Sequence, residues 1–195
     1  MEAVRFTVFA SGSAGNVAYL ETPGARLLID CGISAKRIRE SLLSLDRTPE
    51  RLDGILITHE HSDHIRGLRV FAAKLGIPVY CNRHTSAEIH RIHDTKFNFR
   101  IIETGCDFQV GDLTVDTFSV PHDAIDPIGF VLHAPAAQIG FLTDMGHGTR
   151  LVADRVKDTE VLLLETNHDV EMLNNDPRRS WALKQRIMSR HGHLS

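Results

Sequence analysis

Four side chains that bind metals well fall within six residues of this chain: His59, His61, Asp63 and His64. They directly follow Gly54–Thr58, a short apolar and β-branched run that predicts a buried strand. Alternate residues at a strand end share a face, so His59 and His61 are expected to point to one side. The turn into the next helix brings Asp63 and His64 to a second position. Imidazoles with a carboxylate suit zinc or a similar divalent ion, so the segment predicts two neighbouring metal positions.

A solvated, histidine-rich loop is the alternative interpretation of the same residues. For a single His-x-His pair that alternative would be favoured, because short motifs of this kind match by chance. Here the ligand types, their spacing and the preceding strand all agree, which favours a metal site. The chain has 12 histidines, and those without ligand spacing are predicted to be surface or core residues: His84, His90, His93, His133, His147 and His191.

Hydrophobic periodicity predicts strand hairpins in the N-terminal third, followed by alternating strands and helices. The predicted strands are Arg5–Ala10, Val17–Glu21, Arg26–Asp30, Gly54–Thr58, Pro78–Cys81 and Val161–Glu165, with others between Arg100 and Thr143. The predicted helices are Ala35–Leu45, His64–Leu75, one opened by a capping box at Thr85–Glu88, Thr149–Val156 and Ser180–Arg190. The pattern alone supports an α/β (α+β) fold with a mixed sheet, in a single domain over residues 1–195.

Composition restricts the partners and the compartment. The formal net charge is −3, so the chain has no overall attraction to nucleic acid or to an anionic membrane. Its three cysteines are scattered without a Cys-x-x-Cys pair, which fits a reducing compartment. The sequence shows neither a signal peptide nor an apolar run of membrane-spanning length, so we expect a cytoplasmic protein without a membrane partner.

Two later segments supply further ligands at the ends of predicted strands. Ser119–Ala124 contains His122, and Gly140–Gly146 contains Asp144. With the first four ligands, these segments resemble the metallo-β-lactamase superfamily, which implies a four-layer αββα sandwich. The resemblance implies that His122 completes the first metal site and that Asp144 bridges two divalent ions. An aspartate rather than a cysteine at the bridging position differs from the antibiotic-hydrolysing lactamases.

The resemblance is closer to the YycJ/WalJ group of that superfamily. It rests on segments that extend to the last residue: Ala10–Asn16, Leu28–Gly32, His122–Ala124 with Pro127, Glu165–Asp169 and Gly192–Ser195. The group is similar to the ribonuclease Z branch and implies a cytoplasmic bacterial nuclease, a 5′-to-3′ exonuclease or phosphodiesterase acting on DNA or RNA ends. Zinc, or alternatively manganese, is the implied metal. By the same resemblance, Asp30 supports the ligand loop from behind.

The C-terminus departs from the pattern of the group. There a final histidine ligand lies beyond the Gly-His-[Leu/Val]-Ser segment, whereas this chain stops at Ser195, so we expect its domain to be incomplete. The second metal would then keep Asp63, His64 and Asp144 only. His193 resembles the ribonuclease Z histidine that protonates a leaving group, and a disordered tail is the alternative for it.

The resemblance implies a hydrolase that cleaves phosphodiesters through a metal-bridged hydroxide. Asp63 would orient or deprotonate the nucleophile, and His193 would protonate the departing oxygen. His168 is expected to support the site or contact the substrate, or else to cap the following helix. The basic stretch over residues 178–190 predicts either a solvated helix face or a track for a phosphate backbone.

Three functions remain open at this point. The first is a nuclease acting on nucleic-acid ends, and the second is hydrolysis of a small phosphodiester, thioester or lactone by the same metal core. The third is a catalytically incomplete metal-binding fragment. Metal-dependent shortening of an end-labelled oligonucleotide would separate the first from the other two. The sequence does not determine the oligomeric state.

Overall fold

Two β-sheets form the centre of residues 4–195, which are the residues that this computed structural model describes. The first sheet has six strands in chain order: β1 (Arg5–Ala10), β2 (Val17–Glu21), β3 (Arg26–Ile29), β4 (Gly54–Leu56), β5 (Pro78–Asn82) and β6 (Asn98–Ile102). The pairs β1–β2 and β2–β3 are antiparallel, and the pairs from β3 to β6 are parallel. Strands β3 to β6 therefore end at one edge of the sheet.

The second sheet has five strands in the order β11-β10-β9-β8-β7. They are β7 (Asp107–Val110), β8 (Leu113–Ser119), β9 (Ile128–Ala134), β10 (Ala137–Leu142) and β11 (Val161–Leu164). The pairs β7–β8, β8–β9 and β9–β10 are antiparallel, whereas β10 and β11 are parallel. Strands β8, β10 and β11 consequently run in one direction and end at the same edge.

Helices cover the outer faces of both sheets. They are α1 (Ala35–Leu43), α2 (Ser62–Ile65), α3 (Leu68–Leu75), α4 (Arg83–Ile92), α5 (Arg150–Val156), α6 (Val170–Asn175) and α7 (Trp181–Ile187), with a 3₁₀ turn at Pro49–Arg51. Ile38, Phe71 and Ile89 of α1, α3 and α4 are buried in one apolar cluster with the first sheet. Val152 of α5 is buried in another cluster with the second sheet. The layers are helix, sheet, sheet, helix, which confirms the αββα expectation.

A third apolar cluster lies between the two sheets and fixes their separation. Leu27 and Leu56 of the first sheet and Phe130 of the second are fully buried in it. Burying side chains of this size stabilises the sandwich by roughly 2 kcal/mol each, so the two sheets hold each other in a defined position. None of the helices in residues 4–195 is long and apolar enough to cross a membrane.

The prediction of one helix over His64–Leu75 is wrong, because the chain forms α2 and α3 with a break at Gly67. Gly67 N donates a hydrogen bond to Cys31 O at 2.7 Å. A Cβ at this glycine would lie 2.4 Å from Ile33 O, so only glycine allows the loop after β3 to pack here. The break therefore results from a contact between segments that are distant in sequence.

The predicted start of the next helix at the Thr85–Glu88 capping box is also wrong. Helix α4 begins earlier, at Arg83, because the side chain of Asn82 accepts a hydrogen bond from Thr85 N at 2.8 Å and caps the helix. Helices α1 and α7 end before their predicted last residues, at Leu43 and Ile187. These differences leave the order of the predicted elements unchanged.

Replacement of Gly32 by alanine is expected to destabilise the fold by about 3 kcal/mol, because the new methyl group overpacks two backbone segments. A Cβ at Gly32 would lie 1.6 Å from Asp63 O and 2.6 Å from Asn16 N. Denaturant unfolding measures the loss. The matched control is Gly148→Ala, since a Cβ at Gly148 meets nothing within 4 Å. Equal stability of the two variants would contradict this account of the loop.

Candidate metal centre

The candidate site lies at the edge where strands of both sheets end. Asp30 and His59 follow β3 and β4 of the first sheet, and His122, Asp144 and Glu165 follow β8, β10 and β11 of the second. Because these strands deliver their carboxyl ends to one edge, side chains that are far apart in sequence meet there. Asp144 and Glu165 line an open cleft at this edge, with a volume of about 670 Å³, and His61, Asp63 and His193 line it too.

Three groups of side chains in this cleft bring nitrogen and oxygen atoms within 4.8 Å of one another. The groups are His59 with His61 and His122, His59 with His64 and Asp144, and His122 with Asp144 and His193. Because His59, His122 and Asp144 each belong to two groups, the three sets form one continuous cluster. Five of the six side chains that the sequence predicts as metal ligands belong to this cluster.

The atoms of the cluster face each other at short distances. His122 Nε2 lies 3.2 Å from His61 Nδ1, and His64 Nε2 lies 2.5 Å from Asp144 Oδ2. His59 Nε2 is buried and has no hydrogen-bond partner among residues 4–195, although Asp144 Oδ2 is 3.3 Å away. A buried, unsatisfied imidazole nitrogen is costly unless something else binds it. The nitrogen and oxygen donors around it fit a divalent ion such as zinc.

The protonation states of His59, His122 and Asp144 also fit metal binding. Burial, with the neighbouring His64, holds the pKa of His59 well below its ordinary value. Burial likewise lowers the pKa of His122. Burial alone would raise the pKa of Asp144, but hydrogen bonds to His193 and His64 outweigh it and keep that pKa far below its usual range. Neutral imidazoles and an ionised carboxylate are the forms that coordinate a metal.

Asp30 orients the ring of His64 from behind. This aspartate is completely buried and adopts a left-handed backbone conformation, with φ 60°. Its Oδ2 lies 2.8 Å from His64 Nδ1, and its Oδ1 accepts a hydrogen bond from Thr58 N at 2.9 Å. Burial opposes protonation of His64, but Asp30 and Asp144 together raise its pKa well above the ordinary value. With Nδ1 engaged, Nε2 is the nitrogen that faces Asp144 in the cluster.

Asp63 lies at the wall of the cleft and outside the three groups. Its Oδ2 is 3.7 Å from His64 Nε2, and 25% of its side chain is exposed. The structure therefore places Asp63 beside the ligand cluster, with its carboxylate open to the cleft.

His193 belongs to the cluster and does not form a loose tail. Its Nδ1 lies 3.2 Å from Asp144 Oδ1 and 3.4 Å from Glu165 Oε2. The adjacent Gly192 O accepts a hydrogen bond from His122 Nδ1 at 3.0 Å. The loop that carries His193 thus closes one side of the site.

His168 lies outside the ligand cluster, next to a neighbouring cavity. The alternative that it caps the following helix is wrong, because Asp169 is the cap of α6 and its side chain accepts from Met172 N at 2.8 Å. His168 is half-buried, and its Nδ1 has no hydrogen-bond partner among the described residues.

Sequence comparison places these residues in a known family. Residues 25–195 match the profile of the β-lactamase superfamily domain. Exodeoxyribonuclease WalJ of Streptococcus pneumoniae serotype 2 is 40% identical over 197 residues, which cover 98% of this chain and 72% of WalJ. Exodeoxyribonuclease YycJ of Bacillus anthracis is 37% identical over 193 residues, which cover 98% of this chain and 73% of YycJ. The chain belongs to the β-lactamase superfamily.

Solved structures agree with this assignment at the level of the fold. The metallo-β-lactamase fold protein YhfI of Bacillus subtilis superimposes with a TM-score of 0.72, over 86% of this chain and 73% of that one, at 16% identity. Metallo-β-lactamase folds carry divalent metal ions, and the His/Asp cluster of this superfamily member lies at the edge of the two sheets where they would bind.

Two residues of this β-lactamase superfamily site were missed by the sequence analysis. Glu165 Oε2 accepts a hydrogen bond from Asp144 N at 2.6 Å, besides its contact with His193. Glu60 is buried between His59 and His61 in the chain, and its Oε1 accepts a hydrogen bond from Ile125 N at 2.9 Å. An acidic residue at the end of a predicted strand was the available signal for Glu165. No feature of the neighbouring sequence distinguishes Glu60 from a solvent-exposed glutamate.

Replacement of Asp30 by asparagine is expected to weaken metal binding by about 10- to 100-fold, as loss of a carboxylate behind a ligating histidine does elsewhere. Asparagine keeps the shape and an acceptor for Thr58 N but loses the charge that orients the imidazole. Titration calorimetry with zinc measures the affinity. Asp46→Asn is the matched control, since Asp46 also has a positive φ, of 56°, and is exposed. If Asp30→Asn bound zinc with unchanged affinity, Asp30 would have no role in orienting His64 for the metal.

Proposed function

We propose that this chain is a metal-dependent exodeoxyribonuclease, which hydrolyses phosphodiester bonds at the ends of DNA. One observation carries the proposal: a buried cluster of histidines and Asp144 borders an open cleft in a chain 40% identical to exodeoxyribonuclease WalJ. The 5′-to-3′ polarity implied by the resemblance is part of the same proposal. The cleft has a volume of about 670 Å³ and is open, so it can admit the end of a polymer, whereas a small substrate is usually bound in a more enclosed pocket.

Two divalent ions are proposed to bind in the cleft. His59, His61 and His122 would hold the first, and His64 and Asp144, with Asp63 from the wall of the cleft, would hold the second. Zinc is favoured by the imidazole-rich donor set, with manganese as the alternative. Ions bound there would neutralise charge on the phosphate and lower the pKa of an attacking water.

The other side chains of the cleft are proposed to position the reacting groups and move protons. Asp63 has an exposed carboxylate beside His64, from which it would orient the nucleophile by a hydrogen bond. Hydrogen bonds to Asp144 and Glu165 raise the pKa of His193 to about 10, so its ring carries a proton at neutral pH. That proton is proposed to go to the departing oxygen.

Three thiols support a reducing, cytoplasmic compartment. Cys31, Cys81 and Cys106 form no disulfide, and the first two are buried. Burial raises the pKa of both, that of Cys81 to about 12, so they remain unreactive thiols.

We propose that residues 1–195 act as one hydrolase domain, because both sheets contribute to the one cleft.

Shortening of an end-labelled single-stranded oligodeoxynucleotide tests the proposed activity. Chelator-treated protein should be inactive and should recover when zinc or manganese is added. Asp144→Asn is expected to lower kcat by about 1,000-fold, because it removes a charged group at the phosphate-binding centre. Asp46→Asn, at an exposed site with the same backbone conformation, is the control.

The outcomes of this assay separate the remaining alternatives. Hydrolysis of bis(p-nitrophenyl) phosphate without shortening of the oligonucleotide would favour a small-molecule hydrolase. One bound ion or none, with no hydrolysis of either substrate, would favour a catalytically incomplete metal-binding fragment. Either result overturns the exodeoxyribonuclease proposal.

His193→Gln tests the proton donor. On DNA, where the leaving oxygen needs a proton, kcat is expected to fall by about 100-fold, whereas bis(p-nitrophenyl) phosphate, with its stable leaving anion, should lose less than about 3-fold. Elemental analysis supplies the second readout, because removal of a proton donor should leave the metal content of the protein unchanged. Loss of one ion in the variant would instead make His193 a ligand, as its place in the third donor group allows.

A further inference from the structure

A second cavity adjoins the metal cleft and takes no part in the roles described above. Its volume is about 550 Å³, and it lies beside α6 and α7. Asn167, Arg179 and Ile187 line both this cavity and the metal cleft. The two spaces therefore adjoin each other; we call them together the groove and the second space the side pocket.

One side of the side pocket is apolar. Leu173 and Ile187 are buried at its base, whereas 75% of the Met172 side chain is exposed. A methionine left in solvent next to buried aliphatic side chains provides a flexible, polarisable surface for a flat ring. Exposed apolar side chains beside polar ones are typical of binding sites.

The rim of the side pocket carries two arginines. Arg178 Nε lies 3.0 Å from Asp176 Oδ1 and Arg179 Nε lies 3.4 Å from Asp176 Oδ2, so one carboxylate holds both guanidinium groups. Their side chains remain 88% and 47% exposed, which leaves further N–H donors open to a phosphate. The third cation of the groove, Arg186, is already paired with Asp123 at 2.5 Å.

A neutral hydrogen-bonding group completes the pocket. His168 lines it, with a buried Nδ1 that has no partner in the described part of the chain. Burial and the nearby His193 lower the pKa of His168, so its ring is neutral and offers one donor and one acceptor. Such a group matches the edge of a nucleobase.

We infer that the side pocket binds the nucleotide next to the scissile phosphate, with its base against Met172 and its phosphate on Arg179. The inference rests on the proposed function, because a strand whose phosphate lies at the metal centre must place the next nucleotide in the adjoining space. Base stacking on aromatic rings and ion pairing with cationic side chains bind single strands without reading sequence, and in this pocket the polarisable thioether of Met172 would take the place of the ring.

Binding to the metal-free protein tests the pocket independently of catalysis. The probe is a short, fluorescently labelled single-stranded oligodeoxynucleotide, followed by anisotropy in the presence of chelator. Arg179→Ala is expected to raise Kd by about 10-fold and to reduce the slope of log K against log salt by about 0.7, the value for one lost phosphate contact on a single strand. Arg150→Ala is the matched control, since the side chain of Arg150 is 96% exposed and lines neither space.

An abasic oligonucleotide of the same length separates base binding from phosphate binding. Met172→Ala is expected to raise Kd for the normal strand by about 10-fold and to leave the abasic strand unchanged. Both variant positions are exposed, and thermal unfolding checks that the fold is kept. The inference would be overturned if Arg179→Ala and Met172→Ala bound the normal strand with Kd values within about twofold of the unsubstituted protein. It would also be overturned if Met172→Ala lost the same affinity for the normal and the abasic strand. Metal-dependent shortening of the same oligonucleotide reports separately on the proposed function.

Discussion

The buried carboxylate of Asp30 is the contact on which the site depends. One oxygen accepts from the backbone of Thr58 at the end of the β4 loop, and the other holds the ring of His64 at the start of α2. A single side chain directly after β3 thereby connects the loop after β4 with α2. Asp30 is completely buried, and these contacts hold its left-handed backbone, with φ 60°, in place.

The second half of the centre depends on the packing of one sheet against the other. The apolar cluster between the sheets sets their distance, and Ile128 N donates a hydrogen bond to Thr58 O at 3.1 Å across the edge. Because close-packed interiors resist displacement, the ligands that follow β8 and β10 are held opposite those that follow β4. Asp144 accordingly reaches both His59 and His64.

The C-terminal segment connects the centre to the surface that would meet a substrate. Helix α7 carries Arg186, which pairs with Asp123 beside His122 of the cluster. The loop after α7 returns to the cluster and brings His193 against Asp144. The same segment forms a wall of both the metal cleft and the side pocket. Backbone hydrogen bonds hold it in place, such as the one from Asn167 N to Leu194 O at 2.8 Å. Catalysis and substrate positioning are therefore proposed to depend on the same segment.

The sequence by itself determined the strands and helices of the N-terminal half in order, the αββα class through its resemblance, and the side chains that form most of the cluster. These follow from local spacing: a strand end and the turn after it are enough to bring His59, His61 and His64 together. Only the tertiary structure decided the break at Gly67 and the meeting of Glu165 with Asp144. Both result from the register and close approach of segments distant in sequence, which no local pattern encodes.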